Sequence, residues 1–135
     1  MKLSTRVRYG ARALCVLARS YPSPAVSLSV IARHEGISVK YLEQIMAPLR
    51  AAGLVVANVG AKGGYALSRP PGKIRMSEVY EALESSRALV PCISNHRRCS
   101  RSKECPTRPL WMAVSRAIHH ELHRMRLSYL AGPNR

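Results

Sequence analysis

The sequence predicts a mainly α chain interrupted by a single β-hairpin, on three observations. Apolar residues recur at three- and four-residue spacing over most of the 135 positions, which is the period of an amphipathic helix. One stretch, LVVANVGAKGGYAL at 54–67, abandons that period for two runs of strand formers around a glycine-rich turn. With six Tyr, one Trp and no Phe, the core has to be built from Leu, Val, Ile, Ala and Met.

The first helix is expected over 3–20, with Leu3, Val7, Ala11, Leu14 and Ala18 on one stripe. Cys15 lies on the same stripe, and its neighbours favour a buried, inert thiol. YPSP at 21–24 ends the helix, because proline cannot continue it. Ser27 caps a short second helix that holds Leu28, Ile31 and Ala32 and closes at Gly36. After a tight turn, Ser38 caps a third helix over 39–52. Its buried stripe is Leu42, Ile45, Met46 and Leu49, and its other face carries Lys40, Tyr41, Glu43, Gln44 and Arg50. Pro48 conflicts with the helix interior and predicts a bend in the last turn. Two short helices joined by a three- or four-residue turn containing Gly make a helix-turn-helix, and the hairpin that follows, with strands at 54–59 and 65–67, reads as a wing.

SRPPGK at 68–73 is a rigid linker. A fourth helix over 76–85 turns Val79, Ala82 and Leu83 inward and Glu78, Glu81 and Glu84 to solvent. The longest periodic segment, 107–130, reads as one helix. Leu110, Val114, Ala117, Ile118, Leu122, Met125 and Tyr129 form its stripe, and Trp111 stands near its start. So long a helix has little of its own core to cover, and pairing with a second copy under two-fold symmetry is the expected use. His119 and His123 stand four apart on it; with no third ligand in view, exposed histidines are the simpler reading. The fold class is thus mainly α: a winged helix-turn-helix region at 1–75, a helix and cysteine-rich loop at 76–106, and a dimerisation helix and tail at 107–135.

Charge points to the partner. Twenty-two Lys and Arg stand against seven acids, all Glu, for a net charge of +15. Residues 1–75 hold twelve of the basic residues and two of the acidic ones, a local charge of +10. A compact module so charged repels itself until a polyanion neutralises it, and nucleic acid is the commonest one. No apolar run approaches the roughly 18 residues of a membrane span. Lys2, Arg6 and Arg8 precede an apolar stretch as in a signal peptide, but Arg12 and Arg19 interrupt it and no cleavage site follows. A cytoplasmic location, with reduced thiols and no membrane partner, is expected. An enzyme is not, since no nucleophile–base pair or cofactor loop is present.

The third helix supplies groups that suit a major groove. Gln44 can pair bidentately with adenine and Glu43 can accept from cytosine, while Ser38, Lys40 and Tyr41 are positioned for phosphate or sugar. Lys2, Arg6, Arg8 and Arg50 add sequence-blind attraction, and Lys62 on the wing faces the minor groove. No pair of aromatics alternates on a strand as RNA stacking requires, so double-stranded DNA is the expected partner.

PCISNHRRCSRSKECP at 91–106 sets Cys92, Cys99 and Cys105 in the pattern C-x6-C-x5-C among five basic residues. Structural zinc sites use short C-x2–4-C pairs and a fourth ligand, and thioredoxin-like chemistry uses C-x-x-C; neither is present. An iron–sulfur cluster accepts wider spacing, because its thiolates bind different irons. Arg97, Arg98, Arg101 and Lys103 favour thiolate over thiol and offset the charge of such a group. The expected cofactor is a 2Fe–2S or 4Fe–4S cluster, with zinc or a redox-active thiol switch as the alternative. The fourth ligand is open, with His96 one candidate. Three ligands leave an iron exposed, which suits a sensor better than an electron carrier.

MKLSTRVRYG, YLEQIMAPLRAAGLV, GAKGGYAL and the triple-cysteine loop followed by LW together resemble the IscR-type regulators, the group that includes NsrR, RirA and CymR. The resemblance runs in order over about residues 1–125. It implies a homodimeric winged-helix transcription factor on a pseudo-palindromic operator, whose DNA affinity follows a cluster sensing iron, nitric oxide or redox state. It places that cluster on Cys92, Cys99 and Cys105 and sequence discrimination on Glu43. The chain departs from the pattern at Arg108 and Arg8, where relatives place a histidine or an acid as the fourth ligand, and at Val59, where many place an arginine.

Overall fold

A computed structural model describes residues 3–22, 24–85 and 88–132. Three helices and a hairpin come first: α1 (Thr5–Ser20), α2 (Leu28–Glu35), α3 (Val39–Ala51), β1 (Val55–Asn58) and β2 (Gly64–Leu67). Each of the three helices opens on a serine in extended conformation. Ser4, Ser27 and Ser38 accept from the backbone N–H of Val7, Val30 and Tyr41, three residues on. Each cap satisfies an otherwise orphaned donor and contributes about 1 kcal/mol. Leu14 and Leu17 of α1, Ile31 of α2, and Leu42, Ile45, Met46 and Leu49 of α3 are almost wholly buried against one another. Gly10 permits this close packing, since a Cβ there would run into the Leu83 side chain and press on Ile45.

The hairpin is antiparallel, with Val55 opposite Leu67 and Asn58 opposite Gly64. Val26, just ahead of α2, bridges to Tyr65 through a reciprocal pair of backbone hydrogen bonds of 2.9 and 2.8 Å. Gly64 allows that approach: its φ is +153°, and any Cβ would collide with the Val26 carbonyl. The wing is therefore tied to the start of the helix-turn-helix.

A 3-10 turn at Pro71–Lys73 leads to α4 (Met76–Leu83), and the cysteine-rich stretch contains α5 (Pro91–Ser94) and a 3-10 turn at His96–Arg98. Two further helices close the chain, α6 (Arg108–Arg124) and α7 (Leu127–Ala131).

Several expectations need correction. Leu3 does not join the first stripe: Ser4 caps the helix, and Leu3 is half exposed ahead of it. Val7, Ala13, Leu14, Leu17 and Ala18 form the buried face, with Ala11 at its margin. The segment 107–130 is not one rod. Met125 and Arg126 are extended, Met76 N–H donates to the Met125 carbonyl, and Leu127 N–H donates to the Ile74 carbonyl, each at 2.9 Å. The break turns Leu127 fully into the core and sets α7 against α1, where Arg19 Nε donates to the Ala131 carbonyl at 3.1 Å. A straight helix would carry both away from the core. The glutamates of α4 are not a uniformly solvated face either. Glu78 pairs with Arg69 and accepts from the Arg75 backbone N–H, and Glu84 accepts from the Ser4 N–H, leaving Glu81 exposed. Helix α3 runs on past Pro48 to Ala51.

Candidate nucleic-acid interface and cysteine loop

Helix α3 presents Lys40, Glu43, Gln44 and Arg50 to solvent, while its opposite side is locked in the core. Ser38 is exposed at its N-terminus, with its hydroxyl engaged in the cap. Lys62 and the fully exposed Val59 stand on the wing, and Arg8 projects from α1. These groups are free to meet a groove and its phosphates. Arg6 differs: it is half-buried, and its Nε is covered without a hydrogen-bond partner. Lys2 lies outside the described residues.

Tyr41 is turned inward. Its hydroxyl donates to Thr5 Oγ1 at 2.8 Å, and its ring meets Tyr9 edge to face, with centroids 6.1 Å apart. Over Tyr9 lies the Arg12 guanidinium, 5.4 Å from the ring centroid, and Arg12 forms an ion pair with Glu35. The Glu35 side chain is only 5% exposed at the end of α2, and His34 Nδ1 stands 3.0 Å from its other oxygen. One chain of polar contacts thus fixes α1, α2 and α3 relative to one another. It fixes the orientation of the exposed face of α3 on the body of the molecule. The sequence reading passed over Thr5, Tyr9, Arg12 and Glu35 as positioning residues. One signal was available: Glu35 is one of only two acids in the first 75 residues.

The cysteine loop is a second basic region, between α4 and α6. Cys92 is buried in α5, Cys99 is exposed and Cys105 is half-covered. The hydroxyl of the buried Ser102 donates to the His96 carbonyl at 2.6 Å, folding the intervening turn on itself. Around it Arg97, Arg98, Arg101 and Lys103 are all exposed. A side-chain hydrogen bond with Thr107, supported by backbone N–H groups of Thr107 and Arg108 and by the Arg101 charge, holds the Cys105 thiol below its ordinary pKa. Burial pushes the Cys15 thiol the other way. Cys105 is therefore the thiolate-prone sulfur and Cys15 the inert one.

Three thiols in a basic shell fit the donor set of an anionic cluster. Their present placement does not form a finished site, because among the described residues no three His, Cys, Asp or Glu side chains are gathered to hold a metal. The loop has to close for Cys92, Cys99 and Cys105 to share one group. His96 is exposed at the surface of the same turn, and Arg108 is half-buried at the first position of α6 with an unpartnered Nε.

Helix α6 buries none of its residues, and Leu110 and Trp111 are among its exposed apolar side chains, with Met125 exposed just beyond its end. No helix of the described residues is long and apolar enough to cross a membrane.

Residues 3–133 match a family model described as "Rrf2: Iron-dependent Transcriptional regulator". The chain is 41% identical over 132 residues to the HTH-type transcriptional regulator IscR of Cereibacter sphaeroides, covering 95% of this chain and 85% of that one. Among solved structures it resembles CymR, the global cysteine regulator of Bacillus subtilis, with a TM-score of 0.80, 34% identity and coverage of 97% and 96%. The oxidised form of Staphylococcus aureus CymR matches with the same TM-score and identity over 98% of both chains.

Proposed function

The chain belongs to the Rrf2 family of winged-helix transcriptional regulators, and from that premise we propose how it is controlled: as a homodimer on a pseudo-palindromic DNA site, through an iron–sulfur cluster on Cys92, Cys99 and Cys105. Regulation of transcription through DNA, and not catalysis, is what the family does. On this reading residues 1–75 form the reading head, 76–106 the sensing segment and 107–135 the pairing segment. Glu43 and Gln44 read base edges; Ser38, Lys40, Tyr41, Arg6, Arg8 and Arg50 hold the backbone; Lys62 approaches the minor groove. Tyr41 and Arg6 reach phosphate only by leaving their present contacts.

One observation carries the coupling. The cysteine loop runs directly into α6, and the far end of α6 is hydrogen-bonded to the segment that follows the wing. Arg126 donates to the Gly72 carbonyl at 2.8 Å, Arg75 to the His123 carbonyl at 2.8 Å, and the Arg75–Arg126 bridge joins the two strands of backbone. A change in the loop moves the start of a helix whose end is fastened to the reading head. The bound group would supply redox chemistry and a target for small oxidants; the chain's own residues hold it, neutralise it and relay the shift. The exposed apolar face of α6 suits a second copy, which sets the spacing of two reading heads.

Anaerobic purification, iron and sulfide analysis and a DNA-binding titration before and after nitric oxide or oxygen test the proposal. The expected result is a coloured protein whose operator affinity changes at least tenfold, and a C92S/C99S/C105S variant that is colourless and unresponsive. A variant that keeps the parent's affinity and response ends the cluster reading.

A second reading replaces the cluster with a thiol switch. The depressed pKa of Cys105 and the likeness to a CymR solved in an oxidised form favour it. A metal-free protein whose DNA affinity answers peroxide, and loses that answer in C105S, would select it.

A further inference from the structure

We propose a second metal site, for a single divalent late first-row transition ion, between α6 and α4, held by His119 and His123 with Glu81 as third ligand. It is independent of the cysteine loop. His119 and His123 lie one turn apart on the α6 face turned towards α4, with rings nearly parallel at 24° and centroids 6.1 Å apart. Two imidazoles one helical turn apart form the chelating pair that such ions favour. The structure adds what the helix alone lacks. Ser77, buried in α4, stands with its Oγ 3.3 Å from His123 Nδ1. With Nδ1–H donating to that hydroxyl, Nε2 carries the lone pair, the same outer support that metal-bound histidines use.

The cleft holds about 520 Å³, and both histidines line it together with Glu81. As placed, Glu81 is not gathered with the two histidines, since no three such side chains come together among the described residues. It is exposed on the same cleft with no hydrogen-bond or ion-pair partner among the described residues, so it is the acid there that is free to turn towards them and complete a His2Glu set. That set leaves a fourth position for water. The neighbouring groups are already committed. Glu78 binds Arg69 and the Arg75 N–H, and the Arg75 guanidinium donates to the His123 carbonyl. Lys73 at the rim stays free and lowers the affinity by charge repulsion. The ion would clamp α6 to α4, beside the Arg75 and Gly72 contacts that fasten the end of α6 to the reading head.

The test uses the full-length C92S/C99S/C105S protein, which removes the other candidate ligands. Titration with Co²⁺ should give one ion per chain, with weak d–d bands and no thiolate charge-transfer absorption. Competition with a chromophoric chelator should then show the Zn²⁺ affinity falling at least tenfold in H119A and in H123A. E81Q should lose a few-fold, and H120A, the exposed neighbour, should match the parent. Zn²⁺ should raise the Tm of the parent and leave that of H119A unchanged. Because His119 is exposed, H119A keeps the fold even if H123A loosens the α4 contact. Absence of saturable binding, parent-like affinity in H119A, or loss of binding in H120A would each overturn the site. An unchanged E81Q would remove Glu81 from the ligand set.

Discussion

Helices α3 and α6 have comparable lengths, thirteen and seventeen residues, and each carries an apolar stripe at helical spacing. Helix α3 buries Leu42, Ile45, Met46 and Leu49 completely, whereas α6 buries no residue at all. Both stripes are equally plain in the sequence. What differs is the surroundings: α3 is enclosed by α1, α2, β1 and α4, while α6 packs chiefly against α4 and α5. An apolar face of that size, left open in one copy of the chain, is the kind of surface that a second copy covers.

The contrast is sharpest in the cost of truncation. Ile45→Ala should destabilise the chain by roughly 2–5 kcal/mol, because it opens a cavity in a filled core. Leu110→Ala, on the exposed face of α6, should leave dilute-protein denaturation nearly unchanged, while Leu110→Glu should shift sedimentation equilibrium from dimer to monomer. Equal losses for Ile45→Ala and Leu110→Ala in denaturant titrations at low protein concentration would break the comparison.

The opposite manipulation probes the filled side. Gly10→Ala places a methyl against Leu83 and Ile45 and should cost about 1–3 kcal/mol through overpacking. Enlarging an exposed side chain on the α6 surface, by Ala113→Leu, should not be felt in the same denaturant titration.

Smaller effects separate the two regions by charge. Burial would raise the Glu78 pKa, but the Arg75 N–H and the Arg69 guanidinium outweigh it and bring the carboxyl below its ordinary value of 4.5. A folded pKa lowered in this way stabilises the fold above the unfolded value, and the stabilisation disappears as pH falls through the folded value. Glu78→Gln should therefore lose about 0.5–1 kcal/mol near neutral pH, as capping losses do. Its stability curve should merge with the parent's in acid.

The smallest effect is a rate. Alkylation by iodoacetamide should reach Cys105 at a lower pH than an ordinary thiol and Cys15 at a higher one, as mass spectrometry of time points would read out. Parallel rates at the two cysteines would erase the electrostatic side of the contrast.

Local rules made much of the fold legible. Serine caps, glycine stops and helical spacing located α1, α2 and α3 to within two or three residues, because each signal acts over one or two turns. The five-residue glycine-rich turn at 60–64 and its flanking strand formers marked the wing for the same reason. The exposed face of α3 and the cysteine triplet were equally visible, since side-chain type and spacing suffice to list them. Tertiary contact decided the rest. The break at Met125 arises from backbone pairing with Ile74 and Met76, about fifty residues earlier, and periodicity continues unaltered through it. Glu35 and Tyr41 become positioning residues through partners on α1, and Ser77 reaches His123 across 46 residues. Amino-acid order encodes the preference of each turn of backbone; only folding brings distant polar groups within the 3 Å over which a hydrogen bond acts.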